Sequence, residues 1–305
     1  MRKSMHIIAT CGALTALAML IMATSHNATT LSIAQAQALP EKKPFKVFDG
    51  TLYTDKPDLS QYGIQPITIT YAGQFGKEWF KDAARLPEKE SVQRVAREAE
   101  AKGGHAVIDI EHWPLKGDSS QVQESLTKYM TVLRWFKEAA PGLTVGYYGA
   151  PPLRDYWRAI NPPTSKEWQS YSGENDRLQP LAGAVDVFFP SLYTFYTDQG
   201  GWVRYAYGQI AEARRYGNGK PVYVFLWPQY HDSNRKLAGT YLPADYWRLE
   251  LETAKQYADG IIIWGGWGTN NRPAQWDDNA GWWKATKDFM KTVMTSRHPG
   301  DKKAE

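Results

Sequence analysis

The residues with the clearest capacity for chemistry are Asp109 and Glu111, which close the run His105-Ala106-Val107-Ile108-Asp109-Ile110-Glu111. The run is apolar, begins after the helix-breaking pair Gly103-Gly104, and reads as a buried strand. Side chains on a strand alternate between faces, so Asp109 and Glu111 point the same way. Two carboxylates sharing one site split their pKa values, leaving one protonated and the other ionised. That is the minimum equipment for acid/base work on a glycosidic bond. The plain alternative is a pair of solvated acids in a loop after a strand. His112 alternates with Glu111, faces away, and is read as structural. It sits on the wrong face for a metal site with Asp109 and Glu111, and no second His nearby completes a usual set. No Gly-x-Ser-x-Gly elbow is present, and no cofactor is expected.

These two acids need a scaffold that ends several strands at one place. Strand-like runs occur at residues 46–48, 67–71, 105–111, 144–149, 184–193, 221–227 and 260–264. Between them, residues 91–102 place Val92, Val95, Ala96 and Ala99 on one helical face. Residues 120–140 repeat Val122, Leu126, Tyr129, Leu133 and Phe136 at spacings of three and four. Further helices are expected at 203–216, 244–257 and from 281 to about 293, and residues 161–180 read as an irregular excursion. The strands are apolar on both faces and alternate with helices, as in a parallel sheet covered by helices. About seven such units fit a distorted (β/α) TIM-like barrel, an α/β fold whose chemistry sits at the C-terminal ends of its strands. Asp109, Glu111, Tyr148, Tyr193, Trp227 and Trp264 all fall at or just past strand ends. A doubly wound open sheet is the alternative, but no Gly-rich phosphate loop favours it.

The N-terminus has a different composition. Arg2 and Lys3 precede an apolar run, and small and polar residues follow as far as Ala34-Gln35-Ala36-Gln37-Ala38. Residues 1–38 therefore read as a secretory signal peptide, with an uncleaved anchor as the alternative, and predict a secreted or periplasmic protein. Residues 39–45 form a linker, 46–297 the barrel domain and 298–305 a polar tail. The one cysteine, Cys11, lies in the signal segment, so disulfides have no part in the mature fold. Residues 1–38 carry two of the 36 Lys and Arg and none of the 32 Asp and Glu, which leaves the rest at +2. That near-neutral balance gives no support to nucleic-acid binding, and no other run is apolar enough to span a membrane. The 13 Trp and 18 Tyr suit flat sugar faces as well as a core.

The strand ends together resemble the hyaluronidase family of glycoside hydrolases, from about Ile67 to Trp264. The resemblance rests on Ile67-Thr-Ile-Thr-Tyr-Ala-Gly-Gln-Phe-Gly76, Leu86-Pro87, Ala106-Val-Ile-Asp-Ile-Glu-His-Trp113, Gly146-Tyr-Tyr-Gly149, Phe189-Pro-Ser-Leu-Tyr193 and Ile263-Trp-Gly265. It implies that Glu111 is the general acid and that Asp109 orients a substrate 2-acetamido group, which itself attacks the anomeric carbon. It implies that Tyr148 and Tyr193 surround that group and that Trp264 walls its pocket. Tyr71 and Trp227, on neighbouring strand ends, complete the candidate substrate contacts, with Trp267 and Trp276 read as core as readily as sugar contacts. The acid role leads to the expectation that ionised Asp109 raises the pKa of Glu111. The sequence departs from the family at Ile110, where the family has Trp. It also lacks the Arg that usually precedes Pro114, has Pro151-Pro-Leu-Arg154 in place of Cys-Tyr-Asn, and lacks the family's disulfides and appended small domain.

The expected function is cleavage inside a polysaccharide at an N-acetylhexosamine, with retention through substrate assistance. One rival is a non-catalytic carbohydrate-binding or polysaccharide-export protein on the same barrel. The other is a glycosidase whose second carboxylate comes from another strand, for instance Asp186 or Asp232.

Overall fold

A ring of parallel strand segments forms the centre of the computed structural model, which describes residues 44–82, 84–268 and 272–295. The strands are β1 (Lys46–Thr51), β2 (Gln65–Pro66), β3 (Thr68–Tyr71), β4 (His105–Asp109), β5 (Thr144–Tyr147), β6 (Tyr223–Leu226) and β7 (Gly260–Gly265). β1 pairs with β7 from Lys46–Gly260 to Thr51–Gly265, and β7 pairs with β6. Residues 188–191 bridge β6 to the end of β5 through Phe188–Val222, Ser191–Phe225 and Tyr148–Phe189. β5 pairs with β4, and β4 with β3. β2 and β3 are one segment interrupted at Ile67, with β2 paired to β1, so the pairings run right round the ring. The distortion lies at that interruption, where a gap opens between β1 and β3.

Two-residue periodicity sorts the strand side chains. Phe48, Val107, Phe189, Tyr223, Phe225 and Ile262 fill the inside of the ring. Their neighbours Val47, Ala106, Ile108, Val145, Val224 and Ile261 face outward into a larger core under the helices. Gly146 is required where β5 meets the next segment, because a Cβ there would lie 2.2 Å from the Val187 carbonyl oxygen.

The helices are α1 (Lys89–Glu100), α2 (Ser119–Ala139), α3 (Tyr156–Ala159), α4 (Lys166–Asp176), α5 (Gln179–Ala184), α6 (Gln199–Gly217), α7 (Ala244–Tyr257) and α8 (Gly281–Thr295). Two sequence expectations are corrected here. Residues 161–180, expected to be irregular, contain α4 and the start of α5. α4 buries only Tyr171 and Asn175, so it shows little apolar periodicity. Its start is set by Ser165, whose hydroxyl accepts from the Trp168 N–H at 3.1 Å. The expected continuous strand at 184–193 makes only isolated bridges, since α5 takes its first residue and Pro190 has no N–H for a ladder. The segment read as a signal peptide, the linker as far as residue 43 and the polar tail lie outside the described residues. Among the described residues, no helix is long and apolar enough to cross a membrane.

Candidate active site

β4 carries Val107 into the ring interior, and two residues later Asp109 emerges on the same face at the C-terminal mouth. Glu111 follows just beyond the strand end. Both line one cavity of about 300 Å³, together with Tyr148, Arg154, Tyr193, Trp227, His231, Asp232 and Trp264. The same-face expectation for the two acids therefore holds, as does the gathering of Tyr148, Tyr193, Trp227 and Trp264 around them. Tyr71 lines the neighbouring gap between β1 and β3 and reaches the site through its hydroxyl, which accepts from Trp264 Nε1 at 3.1 Å.

The walls are interlocked aromatic rings. Trp264 stacks on Tyr193 at 5.7 Å and 28° and crosses Trp227 at 5.0 Å and 82°. Trp227 Nε1 donates to Gln229 Oε1 at 2.9 Å, and the Tyr148 hydroxyl donates to Ser191 Oγ at 3.0 Å. Aromatic pairs in edge or offset contact hold one another's orientation beyond what burial alone would do. Behind the acids, Tyr129 on α2 donates its hydroxyl to the carbonyls of Ile110 at 2.9 Å and Trp113 at 3.3 Å, which fixes the loop that carries Glu111. His112 turns away onto Trp79 at 4.8 Å and Trp113 at 5.0 Å, in the structural role expected.

Asp109, expected to be the ionised member, is the acid whose pKa the fold raises. Burial raises Asp109 to about 7, the charge of Glu111 adds to the rise, and Arg154 opposes it. Asp109 is the member still enclosed by the ring. Glu111 stands past the strand end with its side chain 56% exposed and its Oε2 4.0 Å from the Arg154 guanidinium. The Tyr148 hydroxyl is pushed up to about 12, mainly by burial.

Three further groups face the acids. Arg154 was noted in the sequence only as a departure from a family pattern. Its loop is anchored from distant elements: the Leu153 N–H donates to Asn175 Oδ1 at 2.8 Å, Gln209 Nε2 donates to the Leu153 carbonyl at 3.0 Å, and Lys116 Nζ donates to the Arg154 carbonyl at 2.6 Å. His231 was missed. Its Nδ1 accepts from the Ser233 N–H at 3.1 Å, which leaves the ring proton on Nε2. Asp232, considered as an alternative second carboxylate, lines the cleft, whereas Asp186 does not. Asp186 lies at the opposite end of β5, paired with Lys137 at 2.5 Å and accepting from the Val145 N–H at 3.1 Å.

The cleft continues past the acids on both sides. One arm runs past Glu111 and Arg154 to Pro114 and Lys116. The other runs past Trp227, Trp264 and Asp232 to Tyr241 and Trp267. Trp267 is 45% exposed there, while Trp276 packs on Tyr53 and Trp283 behind the wall. Among the described residues, no group of three or more His, Cys, Asp or Glu side chains is arranged to hold a metal ion.

The class defined by this geometry is a parallel (β/α) barrel with an acid pair at its C-terminal mouth. Its fold is similar to that of bee venom hyaluronidase, with a TM-score of 0.56 and 20% identity over 82% of this chain and 97% of that one. The bee venom enzyme in complex with a hyaluronic acid tetramer is similar at a TM-score of 0.55 and 20% identity, over 82% of this chain and 96% of that one. No protein-family model and no curated protein sequence matches the chain.

Proposed function

We propose that this chain is a glycoside hydrolase that cleaves a polysaccharide at an N-acetylhexosamine with retention, using the substrate's own acetamido oxygen as nucleophile. The observation that carries the reading is Asp109, the last residue of β4, and Glu111, two residues on, lining one aromatic cleft. Acids separated by one residue at a strand end, lining the same cavity, do not stand on opposite sides of a sugar as independent acid and nucleophile. They can act as a proton donor and a helper to a nucleophile that the substrate brings. The similarity of the fold to a protein named as a hyaluronidase, one form of which holds a hyaluronic acid tetramer, supports the same class.

On this reading the substrate moves the proton of the pair. An acetamido N–H donating to Asp109 favours its ionised form. The proton passes to Glu111, which gives it to the leaving oxygen as the acetamido oxygen bonds to the anomeric carbon. Ionised Asp109 then lies beside the positive charge of the cyclic intermediate. Water opens that ring, and Glu111 takes the water proton, which restores the pair. Tyr148 and Tyr193 close around the acetamido group, and Trp264 forms its wall. Residues 1–38 would direct the enzyme to the periplasm or the exterior.

A second reading uses Asp232 as an opposing carboxylate, since it faces the same cavity as Glu111. Two measurements separate the readings. Reducing-end release is compared on acetamido-bearing and acetamido-free polysaccharides, and a cyclic thiazoline analogue of the intermediate is tested as an inhibitor. Substrate assistance predicts activity confined to acetamido substrates and inhibition by the thiazoline. Equal cleavage of both substrate types with no inhibition would overturn it in favour of a two-carboxylate route.

A further inference from the structure

Outside the cleft, on the same end of the barrel, two large aromatic rings stand together in solvent. Trp157, on the single-turn helix α3, is 63% exposed, and Tyr196 is 39% exposed. Isolated exposed aromatics are ordinary; two exposed rings in contact with one another form a joint apolar surface. The rings lie 5.2 Å apart at 48°, and Tyr156 sits behind both, at 5.2 Å from Trp157 and 4.9 Å from Tyr196. That backing packs all three rings against one another, with the exposed pair tilted at 48°.

The local sequence is fitted to this arrangement. α6 opens with Gly200-Gly201, a poor choice for helix propensity. A Cβ on Gly201 would lie 2.2 Å from the Tyr156 hydroxyl, so the glycine admits the ring that supports the platform. Asp198 caps the same helix through the Gly201 N–H at 2.9 Å, and its other oxygen faces Arg204 at 3.8 Å. Asp198 and Arg204 are both more than half exposed, which places an acceptor and a fork of donors in solvent close to the rings. Apolar ring faces with polar groups at the edge suit a pyranose, which has an apolar face and a rim of hydroxyls.

The platform is also continuous with the cleft. Tyr193 in the cleft contacts His231 at 6.1 Å, His231 contacts Phe195 at 4.9 Å, and Phe195 contacts Tyr196 at 6.3 Å. Trp157 stands three residues after Arg154, and Tyr196 three after Tyr193, so loops that build the cleft also build the platform. We infer that Trp157 and Tyr196 form a second polysaccharide-binding site, which holds a stretch of the same glycan chain whose cleavage point lies in the cleft. The inference rests on the proposed function for the identity of the ligand. It does not depend on which residue is the acid.

The test is affinity electrophoresis of the full chain carrying Glu111→Gln, so that bound polymer is not consumed, in gels containing hyaluronan, chitosan or galactomannan. At least one polymer is expected to retard the protein. Adding Trp157→Ala or Tyr196→Ala should weaken retention by that polymer about tenfold, as loss of an exposed aromatic anchor does. Binding of its tetrasaccharide, read as the rise in thermal midpoint, should stay the same. Trp264→Ala should do the reverse, losing tetrasaccharide binding more than polymer retention. Retention by none of the polymers, retention unchanged by both platform substitutions, or equal weakening of polymer and tetrasaccharide would each overturn the second site. If the protein without Glu111→Gln cleaves nothing and these binding results still appear, the catalytic reading fails and the platform stands.

Discussion

On the proposed function, Asp109 is the residue on which activity and stability pull in opposite directions. Its carboxyl is raised to about 7 in the fold from an ordinary value of 3.8. Between those values the folded state binds more protons than the unfolded state, so the contribution of Asp109 to stability is full below about pH 4 and is lost as pH rises through 7. Asp109→Asn should therefore stabilise the protein by roughly 2–4 kcal/mol at pH 8 and by almost nothing at pH 4. Chemical denaturation at the two pH values checks this, and a destabilised variant at pH 8 would contradict the burial argument. On the proposed function the pair must hold one proton to begin the reaction, and Asp109 titrates at about 7, so kcat/KM should fall as pH rises above about 7. Removing the cation that opposes the rise, as in Arg154→Met, should move that alkaline limb to higher pH. A limb that stays in place would mean that Arg154 does not act on the pair.

Among the elements, β4 and α2 act as a unit. β4 sets the direction of the acids, and α2 holds the loop beyond them through Tyr129. Tyr129→Phe leaves two buried carbonyls without this donor and should cost about 1–3 kcal/mol of stability. It should also lower kcat more than it raises KM, because Glu111 would lose its fixed position while the aromatic walls remain. Steady-state kinetics beside urea denaturation measure both effects. The shared face of Asp109 and Glu111 was legible in the sequence because strand alternation is local and the run before them is apolar. The alternation of strands and helices was legible for the same reason, since both strand faces are buried and read as continuous apolar runs. The roles of Arg154 and His231 were not. Arg154 is aimed by Lys116, Asn175 and Gln209, whose placement beside it depends on tertiary contacts that leave no periodic trace. The rise at Asp109 was not legible either, because burial depth at the mouth of the barrel differs between residues that look equivalent in the strand pattern. α4 escaped notice because a serine cap, rather than an apolar stripe, marks it.

At the scale of the whole molecule, three adjoining cavities that share Glu111, Arg154, Trp227, Asp232 and Trp264 extend the site on either side of the acids, which suits a polymer longer than one sugar. Cleavage inside the chain is the expected outcome, and solution viscosity should fall well before many reducing ends appear. Proportionate loss of viscosity and release of ends would instead indicate action from a terminus. The most direct measurement for the central claim compares Glu111→Gln with the unmodified protein on a polysaccharide that the latter cleaves, by reducing-end release and by binding. The substitution keeps the shape of the side chain and removes its transferable proton. The account predicts a loss of turnover of roughly 10²–10⁴-fold with substrate affinity retained. Near-unchanged turnover by Glu111→Gln would contradict it.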